Sequence, residues 1–167
     1  MAAAAAAVLP AVAPALGLGR AENKPETFDT FDGFYPLYME QHSDVTCRRF
    51  HFVGTSLAFL WILWDPRLVM AMLTAACLGY GLFFLCLPLQ HGLVDFAAMG
   101  VVFIASGRVL TGTYYKPLAV MVTAYAFAWV GHAFFEQNRP ATFVYPVHSL
   151  VSDWRLWFDI ATGKLAW

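Results

Sequence analysis

Residues Leu68 to Leu89 read LVMAMLTAACLGYGLFFLCLPL, an unbroken apolar run without a single charge. A helix needs about 20 such residues to cross the hydrocarbon core of a bilayer. The run has no period-two alternation, so it reads as a helix rather than a barrel strand. Three further apolar segments surround it. Phe52 to Trp64 precedes it and falls short of a span, unless its helix begins near Cys47 with Arg48 and Arg49 extending toward water. Phe96 to Gly107 follows, also short, and Leu118 to Phe135 is the fourth. Asp65-Pro66-Arg67 and the polar Gln90 to Asp95 stretch read as connections, and Arg108 to Lys116 closes the third segment.

The composition of the whole chain agrees. Of 167 residues, 60% are hydrophobic and only 13% are charged, against about 25% charged in an ordinary soluble domain. So few charges cannot cover a soluble fold of this size, and the same figures exclude disorder over most of the chain. Three cysteines, none in a Cys-x-x-Cys pair, exclude a disulfide scaffold. A net charge of -1 gives no basic surface for nucleic acid. The expected fold is all-α: an integral membrane protein with four transmembrane helices. Residues 1–27 form a low-complexity tail or targeting segment, and residues 28–167 form the membrane helical domain. Arg48, Arg49, Arg139, Arg155 and Lys164 fall on one side of four spans, and Arg67, Arg108 and Lys116 on the other. That excess places both termini in the cytosol.

Four crossings also bring all five histidines, His42, His51, His91, His132 and His148, to one membrane face. His51 opens the first span and His132 closes the fourth, so an even number of passes is what lets them meet. His42 and His51 are nine residues apart and would point to opposite sides of a continuous helix. They can share a site only if the helix starts between them, where Ser43, Asp44 and Thr46 are each suited to cap it. His132 and Glu136 have i, i+4 spacing, which suits two ligands or a ligand with an orienting carboxylate. His148, following Pro146 in a polar tail, reads as a surface residue, and the aromatics from Phe34 to Tyr38 as an interfacial belt. Imidazole suits iron, zinc, copper or nickel, and imidazole with carboxylate and open positions suits ferrous iron. The lack of a cysteine cluster argues against structural zinc.

Two blocks carry a family resemblance. The first is Phe34-Tyr35-Pro36-Leu37-Tyr38, then His42, then His51-Phe52-Val53-Gly54. The second is Gly131-His132 through Glu136, then Asn138-Arg139-Pro140-Ala141. Together they resemble the membrane-embedded 2-hydroxy fatty acid dioxygenases that take phytosphingosine breakdown products to odd-chain fatty acids. Asp44 and Val45 stand where that pattern usually has Asn and Pro. The resemblance implies an Fe(2+) enzyme of the endoplasmic reticulum membrane, an organellar membrane being the other address considered. Its implied substrates are a long-chain 2-hydroxy fatty acid and molecular oxygen, amid membrane lipid. The implied metal ligands are His42, His51 and His132, supported by Glu136. Arg48, Arg49 and Tyr38 are candidate substrate contacts, the two arginines as partners for an anionic head group. A non-catalytic helical membrane subunit and a zinc-dependent membrane hydrolase are the alternative readings.

Overall fold

Thr30 starts the first helix: its side chain accepts the Gly33 amide at 3.3 Å, satisfying one of the orphan donors of a helix N-terminus. This helix, α1, spans Phe31–Glu40. The computed structural model describes residues 28, 30–86, 92–138, 140–143 and 145–167, so the N-terminal segment 1–27 and His91 lie outside the described residues. Five more α-helices follow: α2 Val45–Trp64, α3 Arg67–Cys86, α4 Leu93–Thr111, α5 Tyr115–Gly131 and α6 Pro146–Ala161. A π-helical turn, His132–Glu136, prolongs α5, and a 3₁₀ turn, Ala141–Phe143, precedes α6. There is no strand among the described residues.

Asp44 decides where α2 begins. Its carboxylate accepts the amides of Thr46 at 2.6 Å and Cys47 at 3.0 Å. His42 therefore stays in the connection while His51 rides the helix. At the other end, the residue before Pro66 is pushed out of the α region. Asp65 is extended, with φ -134° and ψ 90°, and α2 and α3 are bent by 120° there. Asp65 then accepts Arg67 and Lys116, each at 2.7 Å, tying this bend to the start of α5.

α2 packs along α5, α3 along α4, and α6 lies against α1 and α2. Two glycines permit the α2–α5 approach. A Cβ at Gly54 would meet the Phe127 Cβ at 2.9 Å and the Ala124 carbonyl at 3.1 Å, and one at Gly131 would meet Cys47 Sγ at 2.9 Å. Since Gly54 follows His51 by one turn and Gly131 precedes His132, the same approach draws those two imidazoles together.

Two helices, Leu93–Thr111 and Tyr115–Glu136, are each long and apolar enough to cross a membrane, and α2 with α3 qualifies as one bent pair. The described residues therefore carry two or three candidate spans where four are expected. Arg48 and Arg49 occupy the first turn of α2, and the break at Pro66 divides the pair. The third segment gains from the fold, growing from Phe96–Gly107 to the whole of α4. Leu63 and Trp64 are 75% and 74% exposed, and Val109 is 81% exposed. Such apolar faces suit lipid rather than water.

Two expectations are corrected in the N- and C-terminal regions. Phe34 and Tyr38 are not an interfacial belt; they are buried in a core with Tyr145, Leu156 and Ile160. Nor is His148 a surface residue: α6 turns it inward with Ser149, Ser152, Leu156 and Ile160. This amphipathic face meets α1, and His148 packs against Phe34 and Tyr145.

Candidate metal centre

His42, His51 and His132 meet at the end of the bundle where α1, α2, α5 and α6 come together. Their ring centroids are 4.5, 4.7 and 5.1 Å apart. One ring nitrogen from each lies within 4.8 Å of the other two, and all three side chains are buried.

Each ring is held from behind. His42 Nδ1 donates to the Tyr38 carbonyl, His51 Nδ1 to Asp153 Oδ1, and His132 Nδ1 to Asn138 Oδ1, every bond being 2.6 Å. The partners are a carbonyl, a carboxylate and an amide oxygen; the Asn138 amide is oriented by its own NH₂ donating to the Gln41 carbonyl at 2.9 Å. Acceptors at all three Nδ1 atoms fix the proton there and leave Nε2 with its lone pair. Nε2 of His42 and of His51 is buried and has no hydrogen-bond partner. A buried polar atom without a partner is costly. A divalent metal bound by the three Nε2 atoms would satisfy this donor set, which fits iron or zinc alike. Burial pushes the His42 imidazole down to about 3, with the neighbouring His51 acting in the same direction. The ring is therefore neutral near pH 7 and able to coordinate.

Asp153 joins two elements of the site. Its Oδ1 also accepts the Tyr38 hydroxyl at 2.6 Å. Burial alone would raise this carboxyl, but the charge and hydrogen bond of His51 and the bond from Tyr38 outweigh it and hold the group below its ordinary value. Burial, then the Asp153 charge, raises the Tyr38 phenol well above its ordinary value, so it remains a donor. The Tyr38 ring stacks on His42 with centroids 3.9 Å apart.

The remaining candidates hold the frame. Glu136 Oε1 accepts the Asp44 amide at 2.6 Å and Oε2 accepts Ser43 Oγ at 3.1 Å, so this carboxylate fastens the His42 connection to the end of α5. The i, i+4 spacing assumes an α-helix, whereas residues 132–136 form a π turn. Both Glu136 oxygens are taken by the Ser43–Asp44 connection, and Asn138 holds the His132 ring. Arg48 Nη1 donates to the carbonyls of His42 and Ser43 at 2.8 and 2.7 Å. Arg49 donates to the Trp167 carbonyl at 3.0 Å. Neither arginine lines the adjoining cavity, and Tyr38 does. Asn138 and Asp153 stand within the sequence blocks around the histidines and in the tail, but their spacing gives no sign of the rings they hold.

A cavity opens from the three imidazoles into the bundle. Its head is polar, with Tyr38, Asp153 and the histidines; the rest is walled by apolar side chains of α2 to α6, many of them small, such as Ala58, Ala75, Gly100 and Ala124.

Fold and site thus define a helical protein with membrane-compatible spans, carrying a buried three-histidine centre at the mouth of an apolar cavity. The family model described as 2-hydroxy-palmitic acid dioxygenase Mpo1-like matches residues 28–87 and 91–165, and the chain belongs to that family. The search of curated proteins finds no match, and neither does the search of solved structures.

Proposed function

We propose that the protein is an Fe(2+)-dependent dioxygenase that shortens long-chain 2-hydroxy fatty acids by one carbon. The observation that carries this reading is the set of three buried imidazoles, each pinned through Nδ1, facing one another at the mouth of an apolar cavity. The family description supplies the reaction class and the 2-hydroxy acid.

His42, His51 and His132 would hold the metal. Bound iron would supply the template on which oxygen meets the substrate and the redox centre that relays electrons between them. The balanced reaction takes RCH(OH)COOH and O₂ to RCOOH, CO₂ and H₂O: the C1–C2 bond breaks, and the substrate provides all the electrons that oxygen accepts. The carboxylate and hydroxyl of the acid sit at the polar head. The acyl chain lies between the helices, where each methylene is favoured over water by about 0.8 kcal/mol. Tyr38, Asn138 and Asp153 are positioning residues for the imidazoles, and Glu136 and Arg48 fasten the connection that carries His42.

We further propose that α2 to α5 make four crossings, with both termini cytosolic, in the endoplasmic reticulum membrane. Antiparallel passes would return the chain to the face from which α2 departs, in keeping with His42 and His51 at the start of α2 meeting His132 at the end of α5.

The test is the purified full chain in detergent, stripped with a chelator and reloaded with iron or zinc, then given 2-hydroxypalmitate with and without oxygen. Oxygen-dependent loss of substrate with iron but not zinc is expected. Turnover without oxygen that zinc restores would favour a hydrolase, and iron-loaded protein with no turnover would remove the dioxygenase reading.

A further inference from the structure

The cavity has a depth that can be read along two helices. On α2 its wall passes through His51, Thr55, Ala58 and Ile62. Ile62 lies eleven positions after His51 within one helix, roughly 16 Å at a rise of about 1.5 Å per residue. On α5 the wall runs from His132 back to Val120, twelve positions or roughly 18 Å. At the far end, Phe103 and Val120 are buried with Leu68 and Ala71, both 0% exposed, in one apolar cluster. At that end of the bundle the Asp65–Lys116 ion pair ties the α2–α3 bend to α5.

We propose that this packed end closes the cavity and acts as a chain-length ruler. An acyl chain with its head at the imidazoles is accepted until its terminal methyl reaches Ile62, Met72, Phe103 and Val120, and longer chains are excluded. The inference rests on the reading of the site as one for 2-hydroxy fatty acids, and gives that reading a length limit. An extended chain advances about 1.25 Å per carbon, the projection of a C–C bond of about 1.5 Å. The depth therefore holds about thirteen or fourteen carbons beyond the two at the head. The small residues Ala58, Ala75 and Gly100 leave the corridor open along the way. Each methylene moved from lipid or micelle into an apolar corridor changes little in free energy, whereas a methylene forced into a packed end costs as overpacking does.

The experiment offers the iron-loaded full chain in detergent an equimolar series of saturated 2-hydroxy acids, about eight to about twenty-four carbons long. Bound acids are extracted, and the ratio of protein-bound to micellar acid is measured for each length, with turnover followed in parallel. A nearly level ratio is expected up to about sixteen carbons, then a fall of about ten-fold or more within a few carbons. Ala58→Leu should move the break about five carbons shorter, since Ala58 lies one turn nearer His51 than Ile62 does. Met72→Ala should move it longer. A ratio with no break, or a break unmoved by both variants, overturns the ruler. A break in binding without turnover at any length keeps the ruler and removes the dioxygenase reading; turnover with no length limit does the reverse.

Discussion

At the scale of single residues, the candidate centre is as much a set of acceptors as a set of histidines. A ring free to rotate loses the geometry that three ligands must share, so partners behind a ligand typically matter ten- to a hundred-fold in metal affinity. Asp153→Asn removes the charge that His51 and Tyr38 both address. Metal affinity is expected to fall about 10–100-fold, read by competition with a chromophoric chelator. Asn138→Ala should act similarly through His132. Single replacement of His42, His51 or His132 by alanine should abolish stoichiometric metal and turnover together. Activity surviving in all three would remove the ligand assignment. Glu136→Gln should leave metal stoichiometry in place and loosen the Ser43–Asp44 connection instead, seen as faster proteolysis there.

At the scale of elements, close helix approach and a helix start do the positioning. Gly131→Ala places a methyl 2.9 Å from Cys47 Sγ. Relief requires α2 and α5 to move apart, at a cost of about 1–3 kcal/mol. Lower thermal stability and weaker metal binding are expected together; unchanged values for both would show that the contact does not set the site. Asp44→Ala removes the α2 cap and should cost about 0.5–2 kcal/mol, with the same two readouts. The cap residue was among three legible candidates in the chain, because a helix start uses neighbours only two and three positions away. The π turn was not legible: nothing in His132-Ala133-Phe134-Phe135-Glu136 separates it from a last turn of α-helix.

At the scale of the whole molecule, parity is the testable property. If four passes connect the two histidine blocks, position 67 at the α2–α3 bend lies on the same side of the membrane as position 112 and opposite position 163. Single cysteines at these exposed positions, on a background with the native cysteines replaced, should react with a membrane-impermeant reagent from those sides of sealed vesicles. Position 67 labelled from the side of position 163, or from neither side, would leave a two-span or three-span arrangement and break the proposed topology. The helical class, the apolar segments and the three histidines could be read from the chain because hydropathy and spacing are local properties, repeating within a few residues. Tertiary structure alone decided that Asp153 stands behind His51 across 102 positions, that His148 is buried rather than exposed, and that Ile62, Phe103 and Val120 line the same cavity as the three histidines. Each of these depends on which faces of separate helices meet, and close packing of distant side chains leaves no periodic trace in the order of the residues.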